Sequence, residues 1–228
     1  MNTVLITGAN RGIGNALVEE FINHQWRVIA CCRQPNEKDF AHLDSTTNLT
    51  LHSLDVTDES QIQRLAKNCK TEKIDILLHV AGLYGPNGIR FGETPVEPWL
   101  EVLKVNTIAP LKITEALIEQ VTRSQHKTIV AISSEMGSIS CNEWGNAYLY
   151  RSSKAALNAV VKSLSIDLKD QGVRALAIHP GWVKTDMGGP EATMPVTDSA
   201  RYIYQLLTQK IPLKSGGFFD YRGKQLPW

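Results

Sequence analysis

Short apolar runs alternate with helical patterns along the whole chain. The strand-like runs cover residues 3–6, 27–31, 49–54, 74–80, 127–132, 173–178 and 217–219, and the helical patterns cover residues 13–24, 58–69, 98–122, 148–171 and 197–208. The strand-like runs are too apolar to leave one face in water, which is typical of a parallel sheet covered on both faces. Repeated strand–helix units therefore predict a Rossmann-type doubly wound parallel sheet of about seven strands with helices on both faces.

Local signals refine these elements. Thr57 or Asp58 is expected to cap the second helix, and Gly172 to end the helix that begins at Tyr148. Pro110 lies inside the pattern at 98–122 and predicts a kink there. No linker, repeat or low-complexity segment interrupts the pattern, so residues 1–228 are predicted to form a single domain.

Composition narrows the class of protein. The chain has 228 residues, 43% of them hydrophobic, which is enough for one substantial core. Its formal net charge is +1 and its basic residues are scattered, which argues against a nucleic-acid partner. We find neither an apolar run long enough for a membrane span nor a signal-peptide pattern, and we expect a cytoplasmic protein.

The four cysteines carry no recognisable motif. Cys31, Cys32, Cys69 and Cys141 form no CxxC pair and no metal-ligand spacing with the six histidines. No metal site is therefore expected. We expect the cysteines to act as small buried hydrophobic residues, without a disulfide framework.

A glycine-rich turn lies between the first strand and the first helix. Gly8, Gly12 and Gly14 have the spacing GxxxGxG. Such a turn lets the backbone turn tightly and approach a pyrophosphate, and it lets a helix pack close to a strand. The helix N-terminus behind it favours an anion. This turn predicts a dinucleotide-binding site.

The end of the second strand indicates which dinucleotide is bound. Sites for NAD usually place an acid there, but this chain reads Cys31-Cys32-Arg33-Gln34. Arg33, together with Arg11 in the glycine turn, could pair with a 2′-phosphate, because a guanidinium suits phosphate. The alternative is that Arg33 is a solvated surface charge. The sequence favours NADP(H).

Tyr150 and Lys154 lie four residues apart on one face of a predicted helix. An ammonium near a phenol favours the phenolate, so we expect Lys154 to lower the pKa of Tyr150. Tyr148 is a rival phenol, but the residue four positions on from it is Ser152. Together with the glycine turn, the pair predicts hydride transfer in which the cofactor does the redox chemistry and tyrosine handles the proton.

These motifs resemble the short-chain dehydrogenases/reductases, and within them the C-factor/sniffer-like carbonyl reductases. The resemblance covers essentially the whole chain. It is carried by the segments Thr7-Gly8-Ala9-Asn10-Arg11-Gly12-Ile13-Gly14, Asp55-Val56, Ala81-Gly82, Val105-Asn106-Thr107, Ser133-Ser134, Tyr150-x-x-x-Lys154 and His179-Pro180-Gly181-Trp182-Val183-x-Thr185, and by the tail Gly216-Gly217-Phe218 to Leu226-Pro227-Trp228. The family's Asn-Asn-Ala-Gly is replaced by His79-Val80-Ala81-Gly82, from which we expect altered local packing. His79 is either a structural histidine or, less simply, an extra catalytic base.

The resemblance implies roles for individual residues. Tyr150 would be the general acid in carbonyl reduction, Lys154 would also hold the nicotinamide ribose, and Asn106 would hold a water for a proton relay. Asn106 could instead satisfy a kinked helix. Ser134 aligns with the family's carbonyl-polarising serine, with Ser133 and Ser138 as alternatives. The implied catalytic set is Asn106, Ser134, Tyr150 and Lys154, and the implied cofactor-binding set is Gly8, Asn10, Arg11, Gly12, Ile13, Gly14, Arg33, Asp55, Val56, Ala81, Gly82, Tyr150, Lys154, Pro180, Gly181, Val183 and Thr185.

The same resemblance implies a function and partners. The leading hypothesis is an NADPH-dependent carbonyl reductase acting on a ketone, aldehyde, dicarbonyl or quinone. The alternative is an NADP(H)-binding signalling or redox-sensing protein that acts through a protein partner. A homodimer or homotetramer would pair through small residues of the Tyr150 helix. Six loop residues are expected to face an apolar substrate: Leu83, Tyr84, Met136, Trp144, Trp182 and Met187.

Overall fold

Seven parallel strands form one sheet in the part of the chain that the structure describes. The computed structural model describes residues 1–41, 43, 48–209 and 213–228. The strands are β1 Thr3–Thr7, β2 Arg27–Cys32, β3 Leu49–Ser53, β4 Ile76–His79, β5 Thr128–Ile132, β6 Arg174–His179 and β7 Gly217–Asp220. They are ordered β3-β2-β1-β4-β5-β6-β7, and every adjacent pair is parallel. The predicted Rossmann-type sheet is confirmed.

Helices connect the strands in the predicted order. They are α1 Gly12–Asn23, α2 Glu59–Asn68, α3 Val96–Leu103, α4 Ala109–Thr122, α5 Tyr148–Asp167 and α6 Val196–Thr208. The side chain of Asp58 caps α2 by accepting a hydrogen bond from the amide of Gln61. After α5 a short 3₁₀ turn ends at Gly172, which has a φ of 74°.

The long predicted helix at 98–122 is interrupted near Pro110. Between α3 and α4 the chain forms a π-helical turn, Lys104–Ile108. The ring nitrogen of Pro110 carries no hydrogen, so it cannot make the α-helical bond to the carbonyl of Asn106. The wider turn lies just before the proline and accommodates that loss. Such turns are frequent at functional sites.

Both faces of the sheet are covered by apolar side chains. One core lies between the sheet and α1 and α6, where Phe21 and Ile203 are fully buried. The other lies between the sheet and α2, α4 and α5, where Leu117 and Leu157 are buried. Burial on both faces explains why the strands read as continuous apolar runs. Cys31, Cys32 and Cys69 are buried and Cys141 is half-buried, and all four are free thiols.

The strand order reverses between β1 and β4, which places the site. β1 is followed by β2 on one side and pairs with β4 on the other. The loops that leave the carboxyl ends of β1 and β4 therefore diverge, and they open a crevice between them. Ligands of doubly wound sheets bind in such crevices.

Two further observations concern surfaces. None of the helices in the described ranges is both long and apolar enough to cross a bilayer. The small residues that were predicted to pair with a second copy lie on the outer side of α5, where none of them is buried: Ala155, Ala156, Ala159, Val160 and Ser163. Pairing through this face stays a prediction.

Candidate active site

A large cavity lies along the carboxyl edge of the sheet, where the crevice was expected. Its volume is about 1530 Å³. It is lined by every residue predicted to bind the cofactor, namely Gly8, Asn10, Arg11, Gly12, Ile13, Gly14, Arg33, Asp55, Val56, Ala81, Gly82, Tyr150, Lys154, Pro180, Gly181, Val183 and Thr185, and also by Ser134. One continuous space thus joins the dinucleotide residues to the candidate catalytic pair.

The glycine turn has no room for side chains. Gly8 has a φ of 69°, and a Cβ there would lie 2.7 Å from the Cα of Ala81. A Cβ at Gly14 would overlap the carbonyl oxygen of Gly8. The hydroxyl of Thr7 accepts hydrogen bonds from the amides of Val80 and Ala81, which keeps the loops after β1 and β4 close together. The turn therefore presents bare backbone to the cavity.

The start of α1 is suited to an anion. Arg11 is its N-cap residue and makes no side-chain capping bond, and no acidic residue occurs in its first turn. The first amides of a helix have no intrahelical acceptor, and the helix dipole favours negative charge there. Gly12 and Ile13, the first residues of α1, line the cavity, so the chain fits a pyrophosphate at this place.

Two arginines stand near the glycine turn with different partners. Arg33 is exposed after β2, and the hydroxyl of Ser53 donates a hydrogen bond to its carbonyl oxygen. Arg11 forms an exposed ion pair with Asp186 at 2.7 Å, which joins the glycine turn to the loop after β6. That loop also contacts the turn directly, because a Cβ at Gly12 would lie 3.2 Å from the methyl carbon of Thr185.

Asp55 is held in a turn after β3. Its Oδ1 accepts hydrogen bonds from both the amide and the hydroxyl of Thr57, and its own amide donates to the side chain of Gln61. Both Asp55 and Val56 line the cavity beside Arg33. Arg33, Asp55 and Val56 therefore form the part of the cavity wall that follows β2 and β3.

The Tyr150–Lys154 pair is buried, and its electrostatics differ from the expectation. Burial raises the pKa of Tyr150 to about 12, although a hydrogen bond with Ser134 lowers it. Burial also lowers the pKa of Lys154 to about 8. The ammonium lies 5.6 Å from the centre of the Tyr150 ring and donates to the carbonyl of Ile132 at 2.8 Å. The expected lowering of the Tyr150 pKa is wrong for this site, because desolvation of the phenolate is the largest influence on that pKa and raises it.

The three candidate serines lie in different surroundings. Ser134 lines the cavity next to Tyr150. The hydroxyl of Ser133 donates to Asn158 on α5 and is buried. Ser138 is also buried, and its hydroxyl lies within hydrogen-bonding distance of the carbonyls of Pro227 and Trp228. Only Ser134 among the three combines a place in the cavity lining with a bond to Tyr150.

Asn106 lies behind the cavity and does not line it. Its Oδ1 accepts a hydrogen bond from the amide of Leu83, and its Nδ2 donates to the carbonyl of Leu83 and to Ser153, with distances between 2.8 and 2.9 Å. Ser153 in turn donates to the carbonyl of Tyr150. The side chain therefore fastens the loop after β4 to the helix that carries Tyr150, rather than satisfying the interrupted helix.

His79 has the surroundings of a structural residue. It is 3% exposed, does not line the cavity, and its Nε2 lies 3.0 Å from the hydroxyl of Thr114 on α4. Burial lowers its pKa to about 3. A buried neutral imidazole bonded to a threonine is poorly placed to act as a base. In this chain His79 thus links the sheet to α4, and altered packing relative to the family stays a prediction.

The substrate side of the cavity is largely as expected. Leu83, Tyr84, Met136, Trp182 and Met187 line it, and the rings of Tyr84 and Tyr150 lie 4.8 Å apart. Trp144 is a correction, because its side chain is 83% exposed and lies outside the cavity lining. It belongs to the loop before α5, in which Gly145, Asn146 and Ala147 have left-handed backbone.

Several lining residues were not singled out from the sequence. They are Cys32, Leu54, Glu97, Leu100, Glu101, Lys104, Glu135, His179 and Lys184, among others. Those on α3 and the π-helical turn could have been found only by knowing which face of the helix meets the cavity. His179 was visible as part of a motif, but nothing in the sequence gave it a role.

A protein-family model matches most of the chain. The family model described as short chain dehydrogenase matches residues 2–195. A curated relative, named C-signal, from Myxococcus xanthus is 38% identical over 167 residues, which is 73% of this chain and 100% of the relative.

Solved structures agree with this match. The carbonyl reductase Sniffer of D. melanogaster superimposes with a TM-score of 0.91 at 32% identity and covers both chains completely. The NADPH-bound carbonyl reductase from chicken fatty liver superimposes with a TM-score of 0.90 at 31% identity, over 100% of this chain and 99% of the other.

Proposed function

The chain belongs to the short-chain dehydrogenase family and is an NADP-dependent oxidoreductase, and from this premise we propose that it reduces a carbonyl compound to an alcohol. The substrate would be a ketone, aldehyde, dicarbonyl or quinone. The observation that carries the proposal is the group formed by half-buried Ser134 and buried Tyr150 and Lys154, which lines the same cavity as the glycine turn.

The chain's own residues would hold the cofactor along the cavity. The glycine turn and the uncapped start of α1 would bind the pyrophosphate, and Asp55 and Val56 would lie beside the adenine. Lys154 would bind the nicotinamide ribose. The carboxamide would be flanked by Pro180, Gly181, Val183 and Thr185. When bound, the reduced nicotinamide supplies the hydride that goes to the carbonyl carbon.

The two arginines would select the phosphorylated dinucleotide. Arg33 is exposed at the end of β2, where no acid is present to bind an unmodified ribose. Arg11 lies across the turn and has Asp186 as its partner. A 2′-phosphate is a doubly charged acceptor that both guanidinium groups could bind, whereas the Asp186 carboxylate carries a single charge.

Tyr150 would give its proton to the carbonyl oxygen as the hydride reaches the carbon. With a pKa of about 12, its phenol keeps the proton at neutral pH, which is the state that a general acid needs before reduction. The hydroxyl of Ser134 would donate to the same oxygen and stabilise the developing negative charge. Tyr150 would then regain a proton from water, so that the alcohol carries one hydride and one proton.

Asn106 would act on this chemistry as a positioning residue. Its side-chain bonds fix Ser153, and through it the first turns of α5, relative to the loop after β4. In an α-helix its own carbonyl would accept from the residue four positions on, which is Pro110 and has no N–H. That carbonyl would hold the water of the proton relay.

The test is the loss of activity on removal of one hydroxyl. Tyr150→Phe should lower the rate of NADPH oxidation with a panel of dicarbonyls, quinones and aromatic aldehydes by at least about 100-fold. Tyr148→Phe is the matched control, since Tyr148 lies two residues away on the same helix and does not line the cavity. Equal rates in the two variants would contradict the proposed acid.

The pH dependence offers an independent check. Reduction needs the Tyr150 phenol, which persists to a pKa of about 12, and the Lys154 ammonium, which is lost as pH rises through about 8. We therefore expect kcat/KM for reduction to fall above about pH 8. Lys154→Arg keeps a charge at these pH values and should flatten that limb at a lower overall rate. If kcat/KM of Lys154→Arg falls above about pH 8 as it does in the wild type, a group other than Lys154 causes the fall.

A second candidate function is a signalling or redox-sensing role through a protein partner. It is supported by the similarity to the protein named C-signal and by the His79-Val80 departure. It predicts that the protein binds NADPH but oxidises it no faster than Tyr150→Phe does with every carbonyl of the panel. Tight NADPH binding without turnover in the wild type would favour this candidate over the reductase.

A further inference from the structure

His179 ends β6 at the point where the sheet meets the cavity. The amide of the neighbouring Ser133 donates to the carbonyl of Ile178, and Asp220 at the end of β7 is the register partner of His179. The imidazole is half-buried and lines the same cavity as Ser134 and Tyr150. It therefore stands one strand away from the serine that follows β5.

The imidazole has no hydrogen-bond partner among the residues that the structure describes. Its Nδ1 has no accessible surface and no partner. The other nitrogen, Nε2, is not enclosed in this way, so it is the polar atom that His179 offers to a molecule in the cavity. An Nε2 that bonds no described residue and belongs to a side chain in the cavity wall is free to bond a molecule in the cavity.

The surroundings of His179 favour a neutral acceptor over an anion. Burial lowers the pKa of His179, while Glu135 and Asp220 raise it. A neutral imidazole carries one N–H donor. A substrate carboxylate brought to this place would be repelled by the two carboxylates, because like charges at short range oppose each other. A carbonyl oxygen would not be repelled.

We propose that His179 binds the second oxygen of a vicinal dicarbonyl, with Nε2–H as the donor, while Ser134 and Tyr150 bind the oxygen that is reduced. This inference rests on the carbonyl reductase function proposed above. Two donors on the adjacent strand ends of β5 and β6 match two oxygens on adjacent carbons, and an isolated ketone can engage only one of them. His179 would thus give the enzyme a preference for vicinal dicarbonyls.

Two substrates that differ at one position test the preference. Acetylbenzoyl is a vicinal diketone, and phenylacetone has the same skeleton with a methylene in place of the carbonyl beside the ring. His179→Leu should lower kcat/KM for acetylbenzoyl about tenfold more than for phenylacetone, which is the size expected for one hydrogen bond. The ratio of variant to wild type for each substrate cancels the difference in their intrinsic reactivity.

Rescue and control variants separate binding from structural damage. His179→Gln keeps side-chain N–H donors and should restore most of the preference, whereas a structural role would be served no better by Gln than by Leu. His52→Leu is the matched control, because His52 lies on β3 away from the cavity lining. It should change the two substrates equally.

Binding without turnover decides the matter independently of activity. Calorimetric titration of acetylbenzoyl into the NADP⁺-loaded protein should show about tenfold weaker binding in His179→Leu than in the wild type. Equal losses for both substrates, or equal binding by the two proteins, would overturn the role of His179. If the wild type reduces other carbonyls of the panel above but not acetylbenzoyl, the role of His179 is overturned while the reductase function stands. If it reduces none of them, the reductase function fails, and the titration alone decides on His179, with absent binding also counting against it.

Discussion

Two histidines end strands of the same sheet, His79 on β4 and His179 on β6. In both, Nδ1 is buried without a partner, and in both, burial lowers the pKa. They differ in the other nitrogen, since that of His79 bonds Thr114 whereas that of His179 has no partner among the described residues and belongs to the cavity wall. Both residues are histidines with a lowered pKa, so neither property distinguishes them. A packing histidine is recognised by a protein hydrogen-bond partner, and a binding histidine by access to the cavity.

The largest expected difference between the two is in acid. His79 has a pKa of about 3 in the folded protein, against about 6.5 in an unfolded chain, so the unfolded state takes up a proton first as the pH falls. The stability that neutral His79 supports is complete above about pH 6.5 and is lost as the pH falls towards 3. At about pH 5 the loss should reach about 2 kcal/mol.

Chemical denaturation of wild type and His79→Gln between about pH 5 and 7.5 measures this loss. The variant should lose about 2 kcal/mol less than the wild type over that range. His179→Gln should reduce the acid-induced loss of stability by a smaller amount, because Glu135 and Asp220 oppose the effect of burial on the pKa of His179. If the free energy of unfolding depends on pH equally in the wild type and in His79→Gln, the acid effect does not come from His79.

A smaller effect should come from the partner of His79. Thr114→Val removes the hydroxyl and leaves the buried imidazole without any hydrogen bond, which should cost about 1–3 kcal/mol of unfolding free energy. In a His79→Leu background the same change should cost less, because no unpaired nitrogen remains. The same cost in both backgrounds would show that Thr114 stabilises the fold by other contacts.

The smallest effect is expected at His179. At neutral pH, His179→Gln should change the free energy of unfolding by no more than about 0.5 kcal/mol, since the imidazole gives up no hydrogen bond. Thermal or denaturant unfolding checks this. A loss above about 2 kcal/mol would make His179 a packing residue like His79 and would remove the contrast between them.

Most of the fold was predictable because burial on both faces leaves a strong signal. All seven strands were predicted, with ends displaced by a few residues, as in β4, which was predicted at 74–80 and spans Ile76–His79. The π-helical turn was foreseen only as a kink at Pro110. Its form depends on which backbone bonds replace the missing one, and no residue pattern encodes that choice.

The cofactor-binding part of the cavity lining was also predictable, but the electrostatics of the site were not. The spacing of Tyr150 and Lys154 shows that a charge lies near a phenol, and from this we expected a lowered pKa. The spacing does not show how deeply the pair is buried, and burial decides the direction. Likewise Ser138 has a suitable hydroxyl and Trp144 a suitable apolar ring. The hydroxyl of Ser138 is hydrogen-bonded to the carbonyls of Pro227 and Trp228, and the side chain of Trp144 is exposed to solvent.

The three hydrogen bonds of Asn106 have a consequence for reading genetic variation. A selection that scored only the amount of folded protein should tolerate few residues at position 106, because most replacements would leave Leu83 or Ser153 with a buried unpaired group. The same selection should pass Tyr150→Phe unnoticed. Intolerance at Asn106 in that selection would therefore show that the residue is needed for the folded structure. A screen for turnover would find both positions essential and would not separate this structural need from the catalytic need for Tyr150.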